Sequence, residues 1–109
     1  MKSPGIDYEA LDKKHLWHPF TQMREWMDSP QLVIERGKGV YVFDTEGNRY
    51  LDGVSSLWAN IHGHRHPVLV RAIRRQLAKL DHSTFLGLTN VPAVELARKL
   101  VDVAPSNLT

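Results

Sequence analysis

Three histidines spaced two apart are the first residues in this sequence that suggest chemistry. They are His62, His64 and His66. Alternate residues of a β-strand share one face, so three imidazoles at this spacing could bind a metal ion. Glycine and proline flank them, however, and the nearest acidic residue, Asp52, stands ten positions before His62. Because histidines in a loop before a helix more often cap or hydrogen-bond, we predict no metal site.

A basic helix face is the second candidate. The segment after the histidines carries its charges away from its apolar residues, at Arg71, Arg74, Arg75 and Lys79. Such charges could contact phosphates, but binders of single-stranded nucleic acid interleave them with exposed aromatic residues. Here the aromatic residues lie elsewhere in the sequence. A solvated face is the commoner explanation, so we expect no nucleic-acid partner; a small binding module that uses this face stays an alternative.

The sequence contains neither a phosphate-binding glycine loop nor a nucleophile elbow. Gly37-Lys38-Gly39 fits neither the P-loop nor the dinucleotide-binding pattern. The stretch Ser55–Trp58, which follows Asp52 and Gly53, places two hydroxyls and a large ring at the predicted edge of a sheet. That pattern by itself favours a turn that packs an aromatic side chain.

Composition excludes further classes of protein. The chain has 109 residues, 42% of them hydrophobic and 24% charged, with a formal net charge of +2 and no cysteine. Without cysteine it can form no disulfide scaffold, zinc–thiolate site, iron–sulfur cluster or thiol nucleophile. No stretch approaches the ~20 apolar residues of a membrane helix, and residues 1–10 lack the apolar run of a signal peptide. We therefore expect a cytoplasmic protein without a membrane partner.

The elements that must position these residues are predicted to form an α+β arrangement. The order is a helical turn, a loop, three antiparallel strands, a second loop and two helices, with bounds 7–16, 32–35, 40–43, 48–51, 67–80 and 92–103. The first loop holds large aromatic side chains, which need a surface to cover them. After Pro105 we expect the chain to stop before the first central strand of an α/β domain.

Four motifs, in order, resemble the class III pyridoxal-phosphate aminotransferases. They are the stretches 15–23 (HLWHPFTQM), 52–58 (DGVSSLW), 61–67 (IHGHRHP) and 82–93 (HSTFLGLTNVPA). The resemblance covers the chain from about Leu11 to Thr109. It implies a fold-type-I, PLP-dependent transferase that is α/β when complete and works as a homodimer with its active site at the subunit interface.

The resemblance also implies a division of the chain and a set of site residues. Residues 1–60 would be the N-terminal segment and the small-domain meander, and residues 61–109 the start of the large PLP-binding domain, truncated here. Phe20, Leu57 and Trp58 would contact the methylene chain of an aliphatic keto-acid substrate, at about 0.8 kcal/mol per buried CH₂. No lysine of this chain matches the Schiff-base motif, so we assign no catalytic and no cofactor-binding residue and expect these 109 residues by themselves to be inactive.

The implied reaction converts 8-amino-7-oxononanoate to 7,8-diaminononanoate in biotin biosynthesis, with pyridoxal 5'-phosphate as the cofactor. Many members of the family have tyrosine where Phe20 stands and a Trp-Trp pair where Leu57-Trp58 stands. A site that hydrogen-bonds its ligand discriminates strongly against an altered partner, so the amino donor stays open between S-adenosylmethionine and lysine. A class III enzyme acting on an ω-amine or a diamine is the alternative within the family.

Overall fold

The computed structural model describes residues 5–107 and divides the chain into two compact units. The first unit ends at Leu69 and the second begins at Val70. The elements in chain order are α1 (Tyr8–His15), α2 (Met23–Asp28), β1 (Ile34–Lys38), β2 (Tyr41–Asp44), β3 (Arg49–Leu51), α3 (Ser55–Trp58), α4 (Pro67–Leu77) and α5 (Val91–Val103). This order confirms the predicted α+β class.

The three strands form one antiparallel sheet in the order β1-β2-β3, as the meander prediction requires. The predicted turn at Gly37-Lys38-Gly39 is wrong in position, because Gly37 pairs with Val42 and Lys38 with Tyr41 inside the sheet. The chain turns instead at Gly39 and Val40, with a φ of 57° at Gly39. Glycine reaches positive φ without steric penalty, so the second of the two glycines makes the turn.

Two short helices precede the sheet. Asp7 caps α1 by accepting a hydrogen bond from the Ala10 N–H at 3.0 Å, as the predicted helix start requires. The second helix, α2, lies where we predicted loop; it begins at Met23, and the side chain of its N-cap, Gln22, accepts from the Arg24 N–H at 3.2 Å. Six residues are too few for an apolar periodicity to show in the sequence.

Asp12 joins the two short helices. Its carboxylate accepts hydrogen bonds from Trp26 Nε1 at 2.9 Å and from His18 Nε2 at 2.9 Å. The rings of His18 and Trp26 also pack together, with centroids 4.2 Å apart. The bond from Trp26, followed by that from His18, lowers the pKa of Asp12 against the opposing effect of burial. The loop between the helices, which carries Phe20, is therefore fixed at both of its ends.

The second unit contains most of α4 and all of α5. Asn90 caps α5 by accepting from the Ala93 N–H at 3.1 Å, and Pro92 stands in the first turn; α5 confirms the helix predicted over 92–103. α4 begins at Pro67 as predicted but ends at Leu77 rather than at Leu80. The four basic residues of its predicted charged face are all exposed: Arg71, Arg74, Arg75 and Lys79.

Apolar side chains in residues 5–107 do not gather into a buried core. None of the hydrophobic side chains described is buried, and the buried polar side chain is that of Asp44. Hydrogen bonds to the carboxylates of Asp12, Asp44 and Asp52 connect elements of the first unit. Among these residues, no helix combines the length and the apolar character needed to cross a bilayer.

Candidate functional site

The three side chains predicted to contact substrate are exposed. Phe20 is fully exposed, Leu57 is 67% exposed and Trp58 is 81% exposed. All three also have positive φ, at 51°, 59° and 70° respectively. Large apolar residues seldom adopt this backbone conformation. Exposure is common to large apolar side chains across the described residues, so the strained backbone is what sets Phe20, Leu57 and Trp58 apart.

Residues Ser55–Trp58 (α3) form a left-handed turn. All four have positive φ, from 49° at Ser56 to 70° at Trp58, and Ser56 and Leu57 have ψ of 53° and 59°. A residue with a Cβ pays roughly 1–2 kcal/mol for this conformation, because its Cβ approaches the following carbonyl oxygen. Such strain persists where the surroundings enforce it, and it clusters at functional sites. The residue types alone predict only a turn here, because the stretch contains no glycine to signal positive φ.

Asp52 supplies the side-chain hydrogen bonds that hold the left-handed turn. One carboxylate oxygen accepts from the Ser56 backbone N–H at 2.8 Å. The other accepts from the Ser56 hydroxyl at 2.8 Å and from His64 Nε2 at 2.7 Å. The backbone N–H of Ser56, then its hydroxyl and His64, lower the pKa of Asp52. The carboxylate is therefore ionised at neutral pH and accepts all three bonds.

His64 connects this carboxylate to the sheet. Its backbone N–H donates to the Gly39 carbonyl at 2.8 Å, and the Gly39 N–H donates to the His64 carbonyl at 3.1 Å. Its ring lies against β1 so closely that a Cβ on Gly37 would stand 2.6 Å from His64 Cγ. The side chains of His64 and Asp52 are only 16% and 9% exposed. Water therefore competes little for their hydrogen bond, and the bond links the left-handed turn to the strands.

The three histidines of the 62–66 stretch do not act together. His64 bonds to Asp52, while the rings of His62 and His66 lie 5.8 Å apart at their centroids. In the described part of the chain, no three histidine or acidic side chains are arranged to hold a metal ion. The pairing of Asp52 with His64 is a feature of this region that the sequence does not predict. Their joint role depends on a contact between residues twelve apart, which no local pattern signals.

The structure does not bring Phe20 and Trp58 together as a stacked pair. The aromatic ring pairs within residues 5–107 are His18 with Trp26 and His62 with His66. A cleft of about 330 Å³ opens beside Asp52 and His64, and one of about 560 Å³ opens beside Asp44, but neither is lined by the three predicted side chains. Phe20, Leu57 and Trp58 instead project from the surface of the first unit.

Comparison with known sequences gives consistent matches along this chain. The family model described as Aminotransferase class-III matches residues 22–109. A relative from Nitratidesulfovibrio vulgaris, named adenosylmethionine-8-amino-7-oxononanoate aminotransferase, is 58% identical over 100 residues, which are 92% of this chain and 18% of the relative. A protein of the same name from Staphylococcus aureus is 52% identical over 97 residues, 89% of this chain and 22% of that protein. The chain thus spans about a fifth of the length of these relatives.

Solved structures agree with the sequence matches. The adenosylmethionine-8-amino-7-oxononanoate aminotransferase of Methanocaldococcus jannaschii superposes with a TM-score of 0.89 at 51% identity, over 93% of this chain and 23% of that one. An omega transaminase from Pseudomonas jessenii, solved in complex with PMP, superposes with a TM-score of 0.84 at 32% identity, over 92% of this chain and 22% of that one. The fold described above is therefore one that transaminase structures contain.

Proposed function

Because this chain belongs to the class-III aminotransferase family, we propose that it forms part of a transaminase that converts 8-amino-7-oxononanoate to 7,8-diaminononanoate in biotin biosynthesis. The names and identities of the relatives from N. vulgaris and S. aureus support this substrate. In the reaction, the ketone of the acceptor becomes an amine while the donor amine becomes a carbonyl. The donor is S-adenosylmethionine or lysine.

The observation that carries the proposal is the exposure of Phe20, Leu57 and Trp58 on positive-φ backbone. An aliphatic substrate offers methylene groups, and covering each of them is worth about 0.8 kcal/mol. Exposed rings and a leucine side chain on a constrained backbone provide such a surface without a large loss of conformational entropy on binding. We assign these three residues to substrate binding and none of this chain to the chemical step.

Pyridoxal 5'-phosphate is the cofactor we propose for the whole enzyme, where it supplies an electron sink for amino transfer. The lysines described do not fit its covalent attachment. Lys13 is ion-paired with Glu9 at 2.9 Å, and the other lysines of the described residues are exposed: Lys14, Lys38, Lys79 and Lys99. A lysine nucleophile is usually activated by desolvation or a neighbouring cation. We therefore assign no residue of this chain to the cofactor.

The remaining proposals concern the assembly. We place residues 1–60 in an N-terminal segment with the small-domain meander, and residues 61–109 at the start of the large cofactor domain. We propose a homodimer in the cytoplasm with small-molecule substrates and neither nucleic acid nor membrane as a partner. The exposed apolar surface of the described residues supports an assembly in which further protein covers them.

An assay of the complete enzyme tests the proposed function. The purified protein is given pyridoxal phosphate, 8-amino-7-oxononanoate and either S-adenosylmethionine or lysine, and 7,8-diaminononanoate is measured by mass spectrometry. We expect product with one of the two donors. Turnover of ω-amines or diamines combined with no product from 8-amino-7-oxononanoate would contradict the proposed substrate and favour the alternative within the family.

A further inference from the structure

We propose that Asp52, supported by His64, is a positioning residue that keeps the left-handed turn Ser55–Trp58 in the conformation that presents Leu57 and Trp58 to substrate. This inference rests on the proposed substrate role of those two side chains. It assigns to Asp52 and His64 an effect on substrate binding that passes through the backbone of the turn carrying Leu57 and Trp58.

The residue types in the turn Ser55–Trp58 do not favour the conformation that the turn adopts. Four consecutive residues with a Cβ have positive φ, although a chain of Ser, Ser, Leu and Trp has no intrinsic preference for it. If the turn relaxed to ordinary φ, the direction of the Leu57 and Trp58 side chains would change. Something in the surroundings must therefore hold the turn, or the two side chains would spend much of their time turned elsewhere.

Asp52 is placed to hold the turn in its left-handed conformation. Its two carboxylate oxygens bond both the backbone N–H and the hydroxyl of Ser56, at 2.8 Å each. These bonds are made to the second residue of the turn and stabilise its left-handed conformation. The 2.7 Å bond from His64 Nε2 fixes the carboxylate, and the paired backbone bonds of His64 with Gly39 fix the histidine. The turn is thus tied to the sheet through a continuous chain of hydrogen bonds.

The fraction of time that the turn is left-handed sets the size of the expected change in KM. When a binding-competent conformation is only partly populated, the apparent dissociation constant rises by the inverse of that fraction. If losing the Asp52 charge leaves the turn in place about a fifth of the time, KM for the substrate that contacts Trp58 rises about fivefold. The kcat changes by less than about twofold, because the bound state is unaltered once it forms.

Asp52→Asn in the complete enzyme is the test. The amide oxygen still accepts from the Ser56 N–H, but the amide nitrogen cannot accept from the Ser56 hydroxyl or from His64. Asp44→Asn is the matched control, because Asp44 also accepts several hydrogen bonds but none from the left-handed turn. We expect the fivefold rise in KM for Asp52→Asn only. Equal KM effects from both variants, or no effect of a folded Asp52→Asn, would overturn the inference.

Glycine rescue separates positioning from a general structural role. Ser55 belongs to the turn with a φ of 53°, and glycine adopts that φ without steric penalty. In the Asp52→Asn background, Ser55→Gly should return KM to within about twofold of the parent, whereas Ser55→Ala, which keeps the Cβ, should not. Equal rescue by glycine and alanine would contradict the proposal. If Asp52→Asn does not fold, Gly37→Ala replaces it, since the added Cβ displaces the His64 ring.

A spectroscopic readout keeps this inference separate from the proposed function. With 5-fluorotryptophan incorporated, the ¹⁹F resonance of Trp58 is identified by its loss in Trp58→Phe. We expect Asp52→Asn to shift that resonance and Asp44→Asn to leave it in place, whatever substrate the enzyme accepts. An unmoved resonance in Asp52→Asn overturns the positioning role, while a missing 7,8-diaminononanoate product overturns only the proposed function.

Discussion

Two aspartates of the first unit hold turns in contrasting ways. Asp44 is buried and accepts from the backbone N–H groups of Glu46 and Asn48, the Asn48 amide and the Tyr50 hydroxyl, at 2.8 to 2.9 Å. The turn that it closes has its positive φ at Gly47, which adopts it without strain. Asp52 holds a turn whose positive φ values all fall on residues with side chains.

The Asp44 turn connects two strands, whereas the turn held by Asp52 carries exposed apolar side chains. The Asp44 turn joins β2 to β3 with glycine in the one unusual position, and it displays no exposed large ring. The turn held by Asp52 keeps its positive φ on residues with side chains, among them the exposed Leu57 and Trp58. Under the proposed function, glycine would relieve this strain but would remove side chains that contact substrate.

The isolated chain is expected to fold poorly, because the hydrogen bonds to Asp44 and Asp52 do not replace an apolar core. The described residues bury no hydrophobic side chain, and chains of about this size are marginal even with a core. We expect the 109-residue polypeptide by itself to show no cooperative thermal transition by circular dichroism. A sharp, reversible melt of a monomer with Phe20 and Trp58 protected from quenchers would show that the exposed rings have a partner within this chain.

Trp58→Ala tests whether the strained turn presents a binding surface. Removing the ring uncovers about two methylene groups of substrate, worth roughly 1.6 kcal/mol, which corresponds to an increase of about tenfold in KM. Trp58→Phe keeps an apolar ring and should raise KM by less. Steady-state kinetics of the complete enzyme with 8-amino-7-oxononanoate measure both variants. Unchanged KM in Trp58→Ala would remove this residue from the site.

The sequence predicts the sheet and the long helices much better than this turn. The antiparallel strands and the helix over 92–103 are predicted from local patterns of residues, and the structure confirms both. The left-handed turn depends on Asp52 and on His64, twelve residues further along, and the stretch it occupies has no glycine. Local propensity therefore points away from its conformation, and only the tertiary hydrogen bonds reverse that preference.

Gly47→Ala tests whether the Asp44 turn contributes to thermal stability without affecting substrate binding. Gly47 has a φ of 92° and open space where a Cβ would be, so alanine meets no atom within 4 Å. The cost is then purely conformational, about 1 kcal/mol. Thermal unfolding of the complete enzyme should show a lower midpoint with KM unchanged within about twofold. A raised KM in this variant would mean that the Asp44 turn also positions the substrate surface.

The hydrogen bonds to Asp44 are expected to give thermal stability a small dependence on pH. Burial would raise the pKa of this carboxyl, but the bonds from Asn48 and Tyr50 outweigh it and lower the pKa. A lowered folded-state pKa contributes stability that is complete above the unfolded value of about 3.9 and is lost as pH falls through the folded value. The difference in thermal midpoint between the parent and Asp44→Asn should therefore stay constant from neutral pH to about pH 5 and shrink below about pH 4. A difference in midpoint that persists at lower pH would mean that Asp44 stabilises its turn through hydrogen-bond geometry and not through its charge. The two aspartates would then differ in chemistry as well as in the turns that they hold.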